Sequence, residues 1–384
     1  MPGKTTAPAR PLKIVMLIQN LQYGGAERQL VELAKGLRAA GSDVTVATFR
    51  SGGDFQSTLA HAGVVQVSLG KTGRYDLLRP ILGLIRLVRS QKADVLYSFL
   101  PVANATGAAA RPFLGRCKLV WGIRSAFVAL DRYDRMTRLS FALQTRLSGI
   151  PDLIVANSDV ARSTAIASGV SDRNFQVINN GIDTQRFSPN ESRRAETRKA
   201  WKIGLDTPVV GIVGRLDAMK DHQTFLRAAA EISHASKEVR FVCVGGGDAT
   251  YQAELRDIAA DLGLGERVAW VGSMHAVEAA YNAIDILVCS SSGESFPNVV
   301  AEAMACGVPC VATDVGASSY IVGATGSVVP AKDPQALAEA ALSILAWPPD
   351  RRRQMKEDAR QRILENFSIG RLVARTLEVL EATA

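Results

Sequence analysis

The sequence predicts an α/β protein of two doubly wound parallel-sheet domains in series, and three observations carry that expectation. Apolar, β-branched runs alternate with longer helical patterns from end to end. These runs are apolar on both faces, as strands must be in a parallel sheet covered on both sides. The chain has 384 residues, more than one ordinary domain, and its strand pattern breaks once and restarts.

Taken in order, the strands of the first half are "KIVMLI", "DVTVATF", "DVLYSF", "KLVWGI", "LIVANS" and "FQVIN". The break is "GIDTQRFSPNESRRAETRKAWKIGLDTP", Gly181 to Pro208, where Pro, Asn, Ser and charges replace the apolar alternation. In the second half the strands are "PVVGIVG", "RFVCVGG", "RVAWVG", "ILVCSS", "PCVATD" and "GSVVP". The expected division is a disordered tail over 1–10, a first domain over 11–187 and a second over 188–366. A C-terminal amphipathic helix over 367–384 is expected to pack back on the first domain. Ligands of open parallel sheets bind outside the carboxyl ends of the strands, so two such domains facing one another make a cleft lined by those loops.

Composition narrows the class. No apolar run reaches the roughly 18 residues that span a bilayer, and the first ten residues lack the apolar region of a signal peptide; a cytoplasmic protein is expected. Five cysteines form no CxxC pair and read as buried, reduced core residues. The four histidines make no HxxxH or HExxH, and there is no Asp-x-Asp, so neither a built-in metal nor a cofactor is expected. His222 and His275 read as solvent-exposed or helix-capping.

Charge is unevenly spread. Residues 1–185 carry 23 Lys and Arg against 12 Asp and Glu, a net +11, whereas residues 186–384 carry 22 against 25, a net −3. Within the basic half, "KTGRYDLLRPILGLIRLVRSQK", Lys71 to Lys92, mixes Leu and Ile with Arg at helical spacing, and Arg111 to Arg146 is a second basic, apolar stretch. This composition suits an anionic membrane surface, and equally a plain amphipathic helix covering a sheet. Nucleic acid is not expected, because aromatics are sparse and no recognition motif accompanies the arginines.

Several loops after strands carry distinctive residues. Gly24 and Gly25 precede a helix beginning near Ala26 or Glu27, where backbone N–H groups can approach a phosphate. Gly214 ends a strand, and Arg215 and Lys220 follow it; two cations there can neutralise charge on a departing diphosphate. Gly245 to Gly247 and Gly272 follow further strands. In "SGESFPNVVAEAMACGVPCVATD", Pro297 suits the first turn of a helix, so the amides around Phe296 to Val299 point toward a ligand. Glu294 precedes that turn and Glu302 lies about one turn inside. Two carboxylates so placed read either as an acid/base pair or as acceptors for sugar and ribose hydroxyls.

Together these residues resemble the retaining glycosyltransferases of family 4, which share the GT-B fold of two Rossmann-like domains facing a central cleft. The signatures occur in order: "GGAER" from Gly24, "IVANS" ending at Ser158, "INNGIDTQRF" from Ile178 to Phe187, "GRLDAMKDH" from Gly214 to His222, and "ESFPNVVAEAMACGVPCVATDVG" from Glu294 to Gly316. The likeness runs from Lys13 to about Leu380.

The resemblance implies a transferase that moves a sugar from a nucleotide-sugar, UDP-linked, to a lipid-linked or growing saccharide in cell-surface polysaccharide assembly, working peripherally on the inner face of the plasma membrane. It implies that Gly24 and Gly25 approach the donor diphosphate, and that Arg215 and Lys220, after Gly214, bind the phosphates as the leaving group forms. The backbone of Phe296, Pro297, Asn298 and Val299 would hold phosphate and sugar hydroxyls. Glu294 would bind the transferred sugar, Glu302 the ribose, and Gly272 would flank the base. In the family's mechanism the acceptor attacks the face from which the diphosphate leaves, and the leaving phosphate is the base, so positioning and charge stabilisation dominate and no metal is needed.

Two positions depart from the pattern. No histidine lies between His61 and His222, and Arg124-Ser125 stands where many members carry a first-domain histidine; Arg124 is assigned to an acceptor or sugar contact. Ser295 replaces the usual glycine. The alternatives are a GT-B sugar-nucleotide epimerase, which would yield an epimer without an acceptor, and a non-catalytic homologue partnering an active transferase.

Overall fold

A computed structural model of the protein describes residues 10–73, 76–125 and 135–384. The chain divides into two compact units, one comprising Met1–Gly181 with Ile369–Ala384 and the other Ile182–Ser368. Of the expected N-terminal tail only Arg10 falls among the described residues, and 126–134 of the basic stretch Arg111 to Arg146 lie outside them.

The first unit contains a seven-stranded parallel sheet: β1 (Lys13–Ile18), β2 (Asp43–Thr48), β3 (Val65–Ser68), β4 (Val95–Phe99), β5 (Lys118–Ile123), β6 (Leu153–Ala156) and β7 (Phe175–Val177), in the order β3-β2-β1-β4-β5-β6-β7. Its inner strands β1, β4, β5 and β6 are largely apolar because both faces are covered. Along β1, Ile14, Met16 and Ile18 join one core, whereas Val15 and Leu17 join the other. The first core is closed by the helices Gly25–Ala39 and Ile369–Thr383, the second by Leu78–Gln91 and Pro101–Ala110.

The C-terminal helix belongs to this unit. Leu372, Val373, Thr376 and Leu380 are buried at helical spacing, and Val373 lies where a side chain on Gly36 would be. Gly181 is just as tightly placed, since a Cβ there would meet Ile369 and Leu372 at 2.9 Å. Buried Gln29 holds its backbone from both sides, donating to the Gly181 carbonyl at 2.9 Å and accepting from its N–H at 3.0 Å.

The second unit contains a six-stranded parallel sheet: β8 (Val209–Val213), β9 (Arg240–Val244), β10 (Val268–Gly272), β11 (Ile286–Cys289), β12 (Cys310–Thr313) and β13 (Gly326–Val329), in the order β10-β9-β8-β11-β12-β13. In both sheets the strand order reverses once, between β1 and β4 in the first and between β8 and β11 in the second. Those reversals are where a doubly wound sheet opens a crevice at its carboxyl edge.

Twelve of the thirteen strands coincide with the runs read from the sequence. The exception is β3, an edge strand whose Val65 is 59% exposed; it carries one valine-rich turn's worth of signal and no continuous apolar run. All five cysteines are buried and unpaired, and burial pushes the Cys117 and Cys306 thiols up to about 12.

The polar stretch that separates the strand series is a built part of the second unit from Ile182 onward. Its helix Glu191–Ala200 is capped by the Asn190 side chain, which accepts from Arg193 N–H at 2.9 Å. Arg198 is wholly buried and donates to the carbonyls of Ala283, Gly204, Leu205 and Thr207 and to Asp285 at 2.7–3.0 Å. Asp285 also accepts from Arg194 at 2.7 Å and from the first N–H of β8 at 2.8 Å. Removing Arg198 would leave the buried carbonyls of Ala283, Leu205 and Thr207 without this donor and take from Asp285 one of its partners. Arg198→Ala is therefore expected to cost about 3–5 kcal/mol, measured as the shift of the second unit's unfolding transition in urea.

Candidate active site

At the reversal of the second sheet, the loops leaving β8 and β11 are fastened to each other by serines. Ser290 donates its hydroxyl to the carbonyls of Lys220 and Asp221, both at 3.0 Å, and Ser292 N–H donates to the Met219 carbonyl at 2.8 Å. Thr313, at the end of β12, donates to the Ser291 carbonyl at 2.6 Å. These contacts fix the height at which each loop leaves its strand.

Between the loops lies an ion pair. Lys220 Nζ donates to Glu294 Oε1, which also accepts from the Ser291 hydroxyl at 2.8 Å. Both partners are largely withdrawn from water, at 17% and 10% side-chain exposure. Burial pushes the Lys220 ammonium toward lower pKa, but the Glu294 charge and hydrogen bond outweigh it, and the net displacement is upward. Lys220 is thus a fixed cation across the neutral range.

Arg215 is placed differently. Its side chain is 72% exposed and among the described residues its ion-pair partner is Asp217, at 3.9 Å. The structure therefore joins Lys220 with Glu294 and leaves Arg215 as an exposed surface charge, close enough to Lys220 to oppose its protonation.

Two glycines allow the loop backbones to close on one another. Gly245 has φ +146° and a Cβ there would overlap the Gly214 carbonyl; Gly316 has φ +60° and a Cβ would come within 2.5 Å of the Glu294 carbonyl. Gly214 packs beside the Lys220 stem, and Gly272 has φ +77° with open space around it.

The helix Asn298–Ala305 starts one residue later than the sequence suggests, with Pro297 as its N-cap. Phe296 turns its ring inward, edge-to-face with Phe367 at 5.7 Å, so only its backbone belongs to the loop. Glu302 lies in the second turn, 3% exposed, and accepts from the Tyr281 hydroxyl at 2.8 Å. Tyr281 and the serines were not singled out in the sequence; the serines had a signal in the Ser-Ser-Ser run directly after an apolar strand, and Tyr281, inside the helix Val277–Ala283, had none.

His222 overturns its sequence reading. It is the first residue of the helix His222–Ala235, but the cap is Asp221, and the imidazole is fully buried with neither ring nitrogen hydrogen-bonded among the described residues. Burial, then the nearby Lys220 charge, push it down to about 4. His275 is exposed.

In the first unit, the helix Gly25–Ala39 begins at the second glycine, one residue before the expected start. Gly24 is extended, and the Glu27 carboxylate folds back to where its side chain would be. Across the strand reversal, Leu100 follows β4 with φ 76° and ψ 158°, a conformation that costs a bulky residue about 1–3 kcal/mol. Arg124 leaves β5 and folds over this edge: it donates to Tyr97 Oη at 2.8 Å and Asn180 Oδ1 at 3.4 Å, and its guanidinium lies 4.6 Å from the Phe99 ring centre. Its Nε is buried and has no hydrogen-bond partner among the described residues.

Two doubly wound parallel-sheet units in one chain are the architecture of the GT-B glycosyltransferases, and the likeness to known proteins places the chain among them. The description "Glycosyltransferase Family 4" matches residues 23–186 and "Glycosyl transferases group 1" matches residues 207–346. A lipopolysaccharide core biosynthesis mannosyltransferase of Rhizobium meliloti is 32% identical over 287 residues, 69% of this chain and 81% of that one. A D-inositol 3-phosphate glycosyltransferase of Catenulispora acidiphila is 28% identical over 85% of this chain and 82% of its own. Among solved structures, Anabaena HepE with UDP-glucose superposes with a TM-score of 0.83 at 23% identity, covering 97% of this chain and 100% of that one. The chain belongs to the family 4 glycosyltransferases. Among the described residues no helix is long and apolar enough to cross a membrane.

His222 binds a proton less readily folded than unfolded, so the unfolded state holds more protons between about pH 4 and 6.5 and stability rises with pH across that window. Its contribution is complete above about pH 6.5 and is lost as pH falls toward 4. His222→Gln should lose less melting temperature than the parent between about pH 7 and 4.5, read by thermal denaturation at both pH values; equal losses would show that His222 is not the buried neutral group described.

Proposed function

We propose that the protein transfers a sugar with retention of configuration from a nucleotide-sugar, UDP-linked, to a lipid-linked or growing saccharide in cell-surface polysaccharide assembly. The observation that carries this reading is the Lys220–Glu294 pair, built into the sheet reversal beside the helix that holds Glu302. Lys220, with Arg215 closing from solvent, meets the diphosphate; no metal is required, because a fixed ammonium supplies the positive charge. The backbone of Phe296, Pro297, Asn298 and Val299 approaches phosphate and sugar, Glu294 takes a hydroxyl of the transferred sugar, and Glu302 takes the ribose diol. Gly272 is assigned beside the base, Gly24 and Gly25 beside the diphosphate, and Arg124 to the acceptor or the sugar.

In this reaction the bond between the anomeric carbon and the diphosphate oxygen breaks, and the acceptor oxygen bonds to that carbon on the same face. The acceptor proton goes to the departing phosphate. No protein carboxylate is asked to move it, which suits a Glu294 already committed to Lys220 and Ser291. The relatives support sugar transfer: one is a mannosyltransferase of lipopolysaccharide core biosynthesis and another a D-inositol 3-phosphate glycosyltransferase. HepE, of the same fold, was crystallised with UDP-glucose. The net +11 of residues 1–185 supports work at an anionic membrane, on the cytoplasmic side.

Lys220→Ala should lower kcat by about 10²–10³ with a smaller change in KM. Glu302→Ala should raise KM for the donor about 10–100-fold, the loss of charge-assisted hydrogen bonds, with kcat nearly kept. Steady-state kinetics with the donor chosen from a panel of UDP-, GDP- and ADP-sugars checks both. No turnover with any donor would refute the enzymatic reading, and equal small effects from both substitutions would refute the residue roles.

A further inference from the structure

The helix Leu78–Gln91 of the first unit has two apolar sides, only one of which the sheet uses. Pro80, Leu84 and Val88 are buried at spacings of four. On the outward side Leu78, Leu82, Arg86 and Arg89 follow at spacings of four, four and three, one stripe of the helix. Leu78 is 74% exposed, Leu82 52%, and Leu77 just before the helix 57%. Phe113, also 52% exposed, stands at the other end, held there by Arg89, whose Nε donates to the Phe113 carbonyl at 2.8 Å. Large apolar side chains held in water along one stripe call for a partner.

Charge identifies the kind of partner. Residues 71–118 carry nine Lys or Arg against two Asp. Both carboxylates are occupied: Asp76 accepts from Thr72 and Arg79 N–H, and Asp94 accepts from Arg10 and from Lys13 N–H. Beneath the last turn of the helix a cavity of about 410 Å³ is lined by Arg10, Arg89, Lys92 and Arg116, and by Asp94, whose carboxylate accepts from Arg10 and Lys13 N–H. It offers an anionic headgroup several cations beside the exposed Phe113. Since the helix leads from β3 to β4 of a parallel sheet, its leucine end lies on the carboxyl side, where the ligand loops are, and its basic end on the amino side.

We infer that this stripe is the surface with which the first unit docks on an anionic lipid bilayer, Leu77, Leu78 and Leu82 entering the interface and Arg86, Arg89, Lys92 and Arg116 pairing with lipid phosphates. The inference specifies the membrane contact in the proposed function and rests on that reading for its purpose, though not for its geometry. Apolar insertion plus cationic attraction is the arrangement that holds a peripheral helix in the interface plane.

The test is co-sedimentation of the full-length protein with vesicles of equimolar phosphatidylglycerol and phosphatidylcholine, compared with phosphatidylcholine alone. Binding is expected only to the anionic vesicles and should weaken as salt rises. Leu78→Ser with Leu82→Ser should reduce it about tenfold or more, and Arg86→Glu with Lys92→Glu by at least about fivefold per basic residue. All four positions are exposed, so melting temperature and nucleotide-sugar hydrolysis should match the parent. Absent parental binding, equal binding to neutral vesicles, or variants that bind like the parent would each overturn the surface. So would displacement by millimolar inorganic phosphate at constant ionic strength, which would mark a free-anion site. Lost vesicle binding with hydrolysis intact sinks this inference alone; vesicle binding without turnover of any nucleotide-sugar sinks the enzymatic reading alone.

Discussion

A lysine withdrawn from water needs a carboxylate, and that requirement organises the ligand edge of the second unit. Lys220 and Glu294 come from loops that follow strands adjacent in space but separated in sequence by β9 and β10. Each charge alone would carry an uncompensated desolvation cost of several kcal/mol, so the two loops are tied to one another energetically. The surrounding polar groups make that tie specific. Ser290 and Ser292 grip the carbonyls before and at Lys220, Ser291 takes the second contact on Glu294, and Thr313 steadies Ser291 from the neighbouring strand. The glycines at 245 and 316 follow from the same closure, because the loops they adjoin leave no room for a Cβ.

The pair also sets the chemistry open to the edge. A carboxylate that shares one oxygen between an ammonium and a hydroxyl is a poor proton carrier and a good fixed acceptor. Glu302 is held in a comparable way by Tyr281, and His222 is kept uncharged beside Lys220 by burial. The cluster is electrostatically preformed, with its positive charge concentrated at Lys220 and a second, exposed one at Arg215. Such an arrangement favours the stabilisation of developing negative charge over acid/base relay.

Much of this was legible in the residue order, for a physical reason. Strands buried on both faces must be continuously apolar, so every interior strand announced itself, whereas the edge strand β3, half in water, did not. Lys220 and Glu294 stood out as charges in loops after strands, and Glu302 as a carboxylate one turn into an otherwise apolar helix. Their partnership did not, since it depends on strand order, which sequence periodicity leaves open. Arg198 shows the opposite limit: in a run of charges it reads as solvated linker, yet it is completely buried, because the carbonyls and the carboxylate it serves come from segments up to 87 residues away. His222 was misread likewise, since a polar residue beside a helix start is more often wet than enclosed.

The first unit is completed by a helix that the chain supplies only after all of the second. Gly36, Gly181 and Gln29 are shaped to receive it, and without it Leu30, Val31 and their neighbours would face water. During synthesis, domains ordinarily fold in the order in which they emerge. Here that order is inverted: the ribosome delivers a self-contained second unit while the first still lacks part of its core. For that interval the nascent chain carries an open apolar groove along Gly25–Ala39, which makes the first-made half the last to become stable and the one most exposed to chaperones and proteases.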